Sequence, residues 1–397
     1  AYGGTLFSSD PEINPSGAAL ADYRLTNAEF GPTLSALLVD VAEDDTDVLG
    51  PVDFRSLSVR EFGTIYEGLL ESALSRAETN LALDKNDVYV PTDDPEKAIV
   101  RTGEIYFHNA SGERKATGSY FTKPFAVEHL LERSLDPTLA EHLDKVQALL
   151  DDDKPADAAD KFFDFRVADL AMGSGHFLIA AIDRMEVQMA AFLTDHPIPA
   201  VNQELDRLEA AARDALGANA DDYEIERSAL LRRQIARRCI YGIDINEIAV
   251  ELARVAVWIH TFIPGLPMSS LDHTLVCANS LTGIGTIDEA LDALDPKRKK
   301  GKPSILIVEI EQTLEDARRL LVDAANSSEA TKAEVRQTTE AAAMAAEAAA
   351  PTRLLFDAAV AVRIGELSEV AGGAADIQRL ASADHVRKRI EMLKPAH

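Results

Sequence analysis

Apolar positions along the chain switch between strand and helix periods, and the switch is sharpest near residue 170. Phe162-Phe163-Asp164-Phe165-Arg166-Val167-Ala168 reads as a buried strand, and Leu178-Ile179-Ala180-Ala181-Ile182 opens a helix. Between them, Asp169-Leu170-Ala171-Met172-Gly173-Ser174-Gly175-His176-Phe177 puts Gly173 and Gly175 at a strand-to-helix turn. Glycine there permits φ > 0 and lets a ligand approach the main chain. The helix start offers free N–H groups and a positive dipole end, which suits a nucleotide-like ligand. A bare turn is the alternative.

The same pattern predicts the elements on either side. A helix is expected over Thr33-Leu34-Ser35-Ala36-Leu37-Leu38-Val39. A longer amphipathic one is expected from Ser56 to Ala77, with Leu57, Val59, Phe62, Ile65, Tyr66, Leu69, Leu70 and Leu74 at helical spacing. Val88-Tyr89-Val90 and Ile105-Tyr106-Phe107 are short strand-like runs. Asp94 and Glu113-Arg114-Lys115 resemble pieces of a magnesium nuclease site, but the latter sits in a Gly-flanked polar turn, and the preferred reading is a solvated hairpin. Thr122 is positioned as an N-cap, with Pro124 opening a helix through Leu131. The run from Asp151 to Pro155 reads as a solvated loop.

After the glycine turn a helix should run from Gly175 to about Phe192, followed by a polar helical region from Asn202 to Arg238. The second strand, Cys239-Ile240-Tyr241-Gly242-Ile243-Asp244-Ile245, carries Asp244 near its carboxyl end. In open α/β sheets ligands bind at that edge, and a carboxylate there can accept both hydroxyls of a ribose. Asn246 should cap the next helix, to Thr261, and His273 to Cys277 make a third strand. Helices are then expected over Ile305 to Ala325, Glu329 to Ala349, Leu354 to Val370 and Ile377 to Leu393, with Pro351 ending the second. These divide the chain into a mostly helical region, 1–110, a ligand-binding core, 111–285, and a helical insertion or linker, 286–397.

Composition narrows this little. The length of 397 residues allows two or three domains, and 46% hydrophobic content is ample for real cores. No stretch of about 18 or more uncharged apolar residues occurs, so no transmembrane helix is expected. Cys239 and Cys277 make no disulfide framework, which points to a reducing cytoplasm, and both read as small core residues. His273 and Cys277 are too few ligands for zinc, and no metal is expected. A net charge of −27 is awkward for a nucleic-acid binder. Either the acidic surface is a solvation adaptation, as in a salt-loving organism, or any grip on a polyanion lies elsewhere. The one dense basic run, Pro296 to Lys302, reads as an exposed linker. The first residues, Ala1-Tyr2-Gly3-Gly4, carry no starting Met or signal pattern, as in an excerpt of a longer protein.

The spacing departs from a dinucleotide-binding unit, where the acid follows the glycines by about 20 residues. Here 244 − 169 = 75 separates the two aspartates, and Gly-Ser-Gly lacks the third glycine. Nicotinamide chemistry is disfavoured.

The order of pieces resembles the amino-group (adenine-N6) DNA methyltransferases of the gamma arrangement. Gly118-Ser119-Tyr120-Phe121-Thr122-Lys123-Pro124 resembles their motif ahead of the sheet, and Asp169 to Phe177 their glycine motif. Gly242-Ile243-Asp244-Ile245-Asn246 resembles their acidic strand. Cys277-Ala278-Asn279-Ser280-Leu281 resembles the motif after it, with Ala278 in place of the usual glycine. The large methylases of type II restriction–modification and phage-defence systems are the nearest in character. The resemblance covers about residues 55–75 and 110–285.

It implies an α/β fold: an incomplete Rossmann-like S-adenosylmethionine-dependent methyltransferase sheet with an N-terminal helical part and a C-terminal helical insertion. It implies S-adenosyl-L-methionine as cofactor. Tyr120, Thr122 and Pro124 would hold its methionine end, and Asp169, Ala171, Gly173 and Gly175 would line the glycine loop. Asp244 would bind the ribose hydroxyls, Ile245 would pack on the adenine, and Asn279 would meet the adenine edge. The family's catalytic Asn/Asp-Pro-Pro-aromatic motif, which holds the flipped base, is absent, because the sequence contains no Pro-Pro pair. No catalytic residue is assigned. The expectation is the cofactor-binding portion of a DNA methyltransferase, engaging DNA through regions outside these residues and working with other restriction or defence subunits. A non-catalytic cofactor-binding or assembly subunit, or an RNA methyltransferase, are the alternatives.

Overall fold

The computed structural model describes residues 15–42, 45–52, 72–84, 89–109, 122–269, 273–296 and 305–365, with residues 9, 11 and 271. The chain divides into two compact units, within 7–121 and within 122–397.

In the first unit, helices α1 (Pro15–Ala21) and α2 (Asn27–Leu38) precede six short strands. The start of α2 is written in Thr26 and Glu29. The Thr26 hydroxyl accepts from the Glu29 amide while the Glu29 carboxylate accepts from the Thr26 amide. Strands β1 (Val39–Ala42) and β2 (Asp45–Pro51) form a hairpin. Strands β3 (Ser72–Arg76), β4 (Leu81–Leu83), β5 (Tyr89–Pro91) and β6 (Ile105–Asn109) pair antiparallel as β3–β6 and β4–β5.

Among the described residues, six short strands stand in a region expected to be mostly helical. The end of the helix expected from Ser56 to Ala77 is β3, and the rest of it lies outside the described residues. Leu74, an apolar position of that pattern, is 71% exposed on the strand. Backbone pairing from Ser72↔Asn109 to Arg76↔Ile105 outweighs local helical preference. Ala77, Leu81 and Val100 make a small core, with Tyr89 set edge-on to Tyr106 at 4.9 Å. Asp94 accepts from the Glu96 amide in an exposed turn and pairs with Lys97, while Glu113 to Lys115 lie outside the described residues.

The second unit is built on a parallel sheet. Its helices and strands are, in order, α3 (Pro124–Asp151), α4 (Pro155–Phe162), β7 (Val167–Asp169), α5 (His176–Asp195), α6 (Pro199–Leu216), α7 (Arg227–Arg238), β8 (Ile240–Asp244), α8 (Glu247–His260) and β9 (Leu275–Cys277). Helices α9 (Ile287–Leu294), α10 (Ile305–Asn326) and α11 (Lys332–Arg363) follow. Among the described residues the sheet order is β7-β8-β9, and Asp169 pairs with Gly242 while Asp244 pairs with Cys277. The architecture is mixed α/β, with most of the described residues helical. No helix among the described residues is long and apolar enough to cross a membrane.

Four local expectations differ here. The first strand is three residues long, because Phe162 and Phe163 are buried at a helix end, with Phe162 stacked on Phe192 at 6.2 Å. An apolar run cannot by itself tell a buried helix end from a strand. The run 151–155 is only a brief turn, since α3 ends at Asp151 and α4 begins at Pro155. Lys123, not Thr122, is the N-cap of α3, and no side chain makes a cap hydrogen bond. Pro351 does not end a helix, because α11 runs through it. Its flanks are held by packing: Leu355, Ala358 and Ala359 join Ala290, Leu291, Leu294 and Ile310 in one apolar cluster. Residues 297–304 and those after 365, including the basic run after Pro296 and the last expected helix, lie outside the described residues.

Candidate functional site

The carboxyl edge of the parallel sheet brings together Asp169, the glycine turn, Asp244 with Ile245, and the loop of Asn279. Strand β7 ends at Asp169, whose Oδ1 accepts from the Ala171 amide at 3.0 Å and so folds the chain into the glycine turn. The turn is then tied to the next strand. The Met172 amide donates to the Ile243 carbonyl at 3.0 Å, and the Gly173 amide donates to Oδ2 of Asp244 at 2.8 Å. The other carboxylate oxygen, Oδ1, accepts from the Asn246 amide at 2.8 Å. Asn246 in turn accepts from Ala249 and so caps α8, as expected. The Asp244 carboxylate therefore joins two loops, and each oxygen keeps a second acceptor site for a ligand hydroxyl.

Both glycines are needed by the backbone. Gly173 has φ +53° and Gly175 φ +83°, conformations costly to other residues. A Cβ on Gly173 would meet nothing within 4 Å, so that face of the turn is open. A Cβ on Gly175 would lie 3.2 Å from the Ala253 Cβ, so this glycine also lets α5 approach α8. A third glycine, Gly242, was not singled out for packing. A Cβ there would stand 2.1 Å from Met172 Sδ, so the bare strand seats the side chain of the turn. A glycine inside a strand pattern is the signal that marks such close approach. No side chain caps α5, which leaves its N-terminal dipole end directed at this edge.

Beyond β9 the Ala278 amide donates to the Asp244 carbonyl at 2.9 Å, drawing the 278–282 loop to the same edge. Asn279 Oδ1 accepts from the Leu281 and Thr282 amides at 2.9 and 3.2 Å. That oxygen shapes its own turn. Ile245 is 48% exposed beside Asp244, and Leu170 and Leu281 are exposed at 56% and 92%. The edge thus offers apolar surface next to a carboxylate. Cys277, expected in the core, is exposed here, whereas Cys239 is fully buried and its thiol is pushed up to about 12. Thr122 and Pro124 are exposed at the start of α3, and Tyr120 lies outside the described residues.

Burial raises the Asp169 carboxyl above the usual range, its hydrogen bond from Ala171 opposes this, and the Asp244 charge adds to it. A raised folded-state value contributes stability below the unfolded pKa and loses it as pH climbs through the folded one. Asp169→Asn keeps an acceptor for the Ala171 amide and removes the charge. It should melt higher than wild type at pH 7, with the gap closing below about pH 4. Parallel thermal melts across that range test this, and a gap independent of pH would refute it.

Among curated proteins, one from Methanocaldococcus jannaschii named as a type II restriction enzyme and methyltransferase is 24% identical to this chain over 213 residues, covering 46% of this chain and 16% of that protein. No protein-family model matches the chain. No solved structure matches it.

Proposed function

We propose that this chain is the cofactor-binding portion of a restriction-associated DNA methyltransferase that uses S-adenosyl-L-methionine and acts on adenine N6. The observation that carries this reading is the hydrogen bond from Gly173 to the Asp244 carboxylate at the carboxyl edge of a parallel sheet. It joins the two motifs that a nucleoside cofactor needs, although 71 residues separate them. The name of the Methanocaldococcus jannaschii relative supports the methyltransferase part of the reading.

The residues present fit such a cofactor. Asp244 would accept from the ribose hydroxyls through its remaining lone pairs. Ile245 would pack against the adenine face, and Asn279 would meet the adenine edge through its amide. Gly173 leaves room for the ligand to lie on the main chain, with Asp169, Ala171 and Gly175 shaping the loop around it. Thr122 and Pro124, exposed at the start of α3, would hold the methionine end, a role that the resemblance also gives to Tyr120. When bound, the cofactor supplies a methyl group activated on a sulfonium. No Asn/Asp-Pro-Pro-aromatic motif exists in the sequence to accept the adenine amino protons and stack the flipped base. With a net charge of −27, DNA would be gripped by regions other than these residues.

The expected result is cofactor binding without methyl transfer. Calorimetric titration should show the 397 residues binding S-adenosylmethionine. Tritium transfer from labelled cofactor to unmethylated DNA should stay at background until a polypeptide carrying the missing motif is added. Absence of binding would sink the proposal. Robust transfer by these residues alone would show that another polar–aromatic pair in the chain does the chemistry.

A further inference from the structure

We infer that Arg184 is a positioning residue, which clamps the first half of α3 to α5 and so presents Thr122 and Pro124 to the cofactor site. The inference rests on the cofactor reading above. Arg184 lies on α5, the helix that the glycine turn opens. Its Nε and Nη2 donate to the two carboxylate oxygens of Asp136 at 2.7 and 2.6 Å, and its Nη1 donates to Glu128 at 2.8 Å. One turn further along α5, Gln188 Nε2 donates to the same Asp136 at 2.8 Å. Glu128 and Asp136 both belong to α3, whose first residue is Pro124.

The place of the clamp matters because of Pro137. A proline inside a helix offers no N–H to the preceding turn and loosens the ladder there. Around it, the Ser134 and Thr138 hydroxyls donate to main-chain carbonyls of Leu130 and Ser134 at 2.6 and 2.7 Å. Residues 124–136 are therefore a lever joined to the rest of α3 through a weakened turn. No side chain caps the free end of that lever. Val127, Leu131 and Leu135 are buried along it. An apolar stripe fixes which face is inward but resists rotation and sliding poorly. A guanidinium held by both oxygens of one carboxylate and by a second carboxylate fixes register as well as distance. The grip on Asp136 also holds that carboxyl below the usual range, chiefly through the hydrogen bond from Arg184. Later in α3 the His142 ring packs on Phe165 at 5.2 Å, just ahead of β7 and so at the sheet's amino edge, whereas α5 leaves the carboxyl end of β7. With the contacts of Glu128 and Asp136 along α5, this sets the two helices in the same sense. The helix start that carries Thr122 and Pro124 then lies toward the edge that carries the glycine turn.

Two measurements on the full chain test this. The first is amide hydrogen exchange of the ligand-free protein. Arg184→Ala should speed exchange in 125–136 about tenfold, with little change after Pro137 or in α5. Arg184→Lys should restore it only in part, because an ammonium cannot make the forked contact. Unchanged exchange would overturn the clamp whatever the chain binds. The second is calorimetric titration with S-adenosylmethionine, where Arg184→Ala should bind about tenfold more weakly while its melting temperature stays near wild type. Faster exchange with unaltered affinity would overturn the presenting role. A wild type that binds no cofactor would overturn the function proposed above, and the exchange result would still judge the clamp by itself.

Discussion

Asp244→Ala is expected to weaken S-adenosylmethionine binding roughly tenfold to a hundredfold. Hydrogen bonds to a charged group are worth about 1.5–3 kcal/mol, and each 1.4 kcal/mol is a factor of about ten. The carboxylate acts twice in this structure. It accepts from Gly173 and Asn246, at 2.8 Å each, and would accept from the ribose diol with what remains. Alanine removes both functions, so part of its effect is a slackened glycine turn. Asp244→Asn separates the two. It retains an acceptor for one loop and loses the charge, so its turn should stay closer to wild type while the diol contact still weakens. Calorimetric titration of the three proteins decides this. Equal affinity in wild type and Asp244→Ala would remove Asp244 from the site.

The largest effect on stability is expected far from that edge. Helix α7 docks against the 327–331 turn between α10 and α11 through charged groups that are almost wholly buried. Arg237 Nε stands 2.9 Å from Glu329 Oε2, with side chains 2% and 0% exposed. Arg233, also buried, donates to the Glu329 carbonyl at 3.3 Å, and Arg237 Nη1 donates to the Ser327 carbonyl at 2.7 Å. Burial pushes the Arg233 guanidinium down to about 10, and the neighbouring Arg237 adds to that. Glu329→Ala would leave two buried guanidiniums without their carboxylate. Removing one member of a buried pair costs about 3–5 kcal/mol. In a domain of this size that is roughly 6–20 °C in melting temperature.

Glu329 also adopts φ +50°, a left-handed conformation that glycine tolerates better. Glu329→Gly should therefore melt slightly above Glu329→Ala, although both lose the pair. Replacing Arg233, Arg237 and Glu329 together by apolar residues of similar volume should recover most of the loss, since the net worth of a buried pair is small. An alanine variant that melts within a degree of wild type would show that water reaches the cluster.

Much of the candidate site was legible in the residues themselves. The strand, glycine turn and helix around 167–182 follow from the apolar period and from glycine's freedom at φ > 0, and both properties act over a few residues. The same holds for Asp244 at the end of β8 and for the Asn246 cap. Thr26 and Glu29 carried a capping box that also could have been read.

What the tertiary structure decided is what depends on partners distant in the chain. Ser72–Arg76 became a strand because β6 supplied its backbone hydrogen bonds, against a helical pattern. Phe162 became a helix end because Phe192 was there to stack on it. Helix α11 continued through Pro351 because apolar contacts on α9 and α10 hold its far side. The Arg184 clamp and the Arg237–Glu329 pair join charges 48 and more residues apart, which in the sequence are indistinguishable from solvated surface. Periodicity and turn chemistry are local and can be read in order along the chain. A charge, a proline or an aromatic residue takes its role from what packs against it, and only the fold supplies that neighbour.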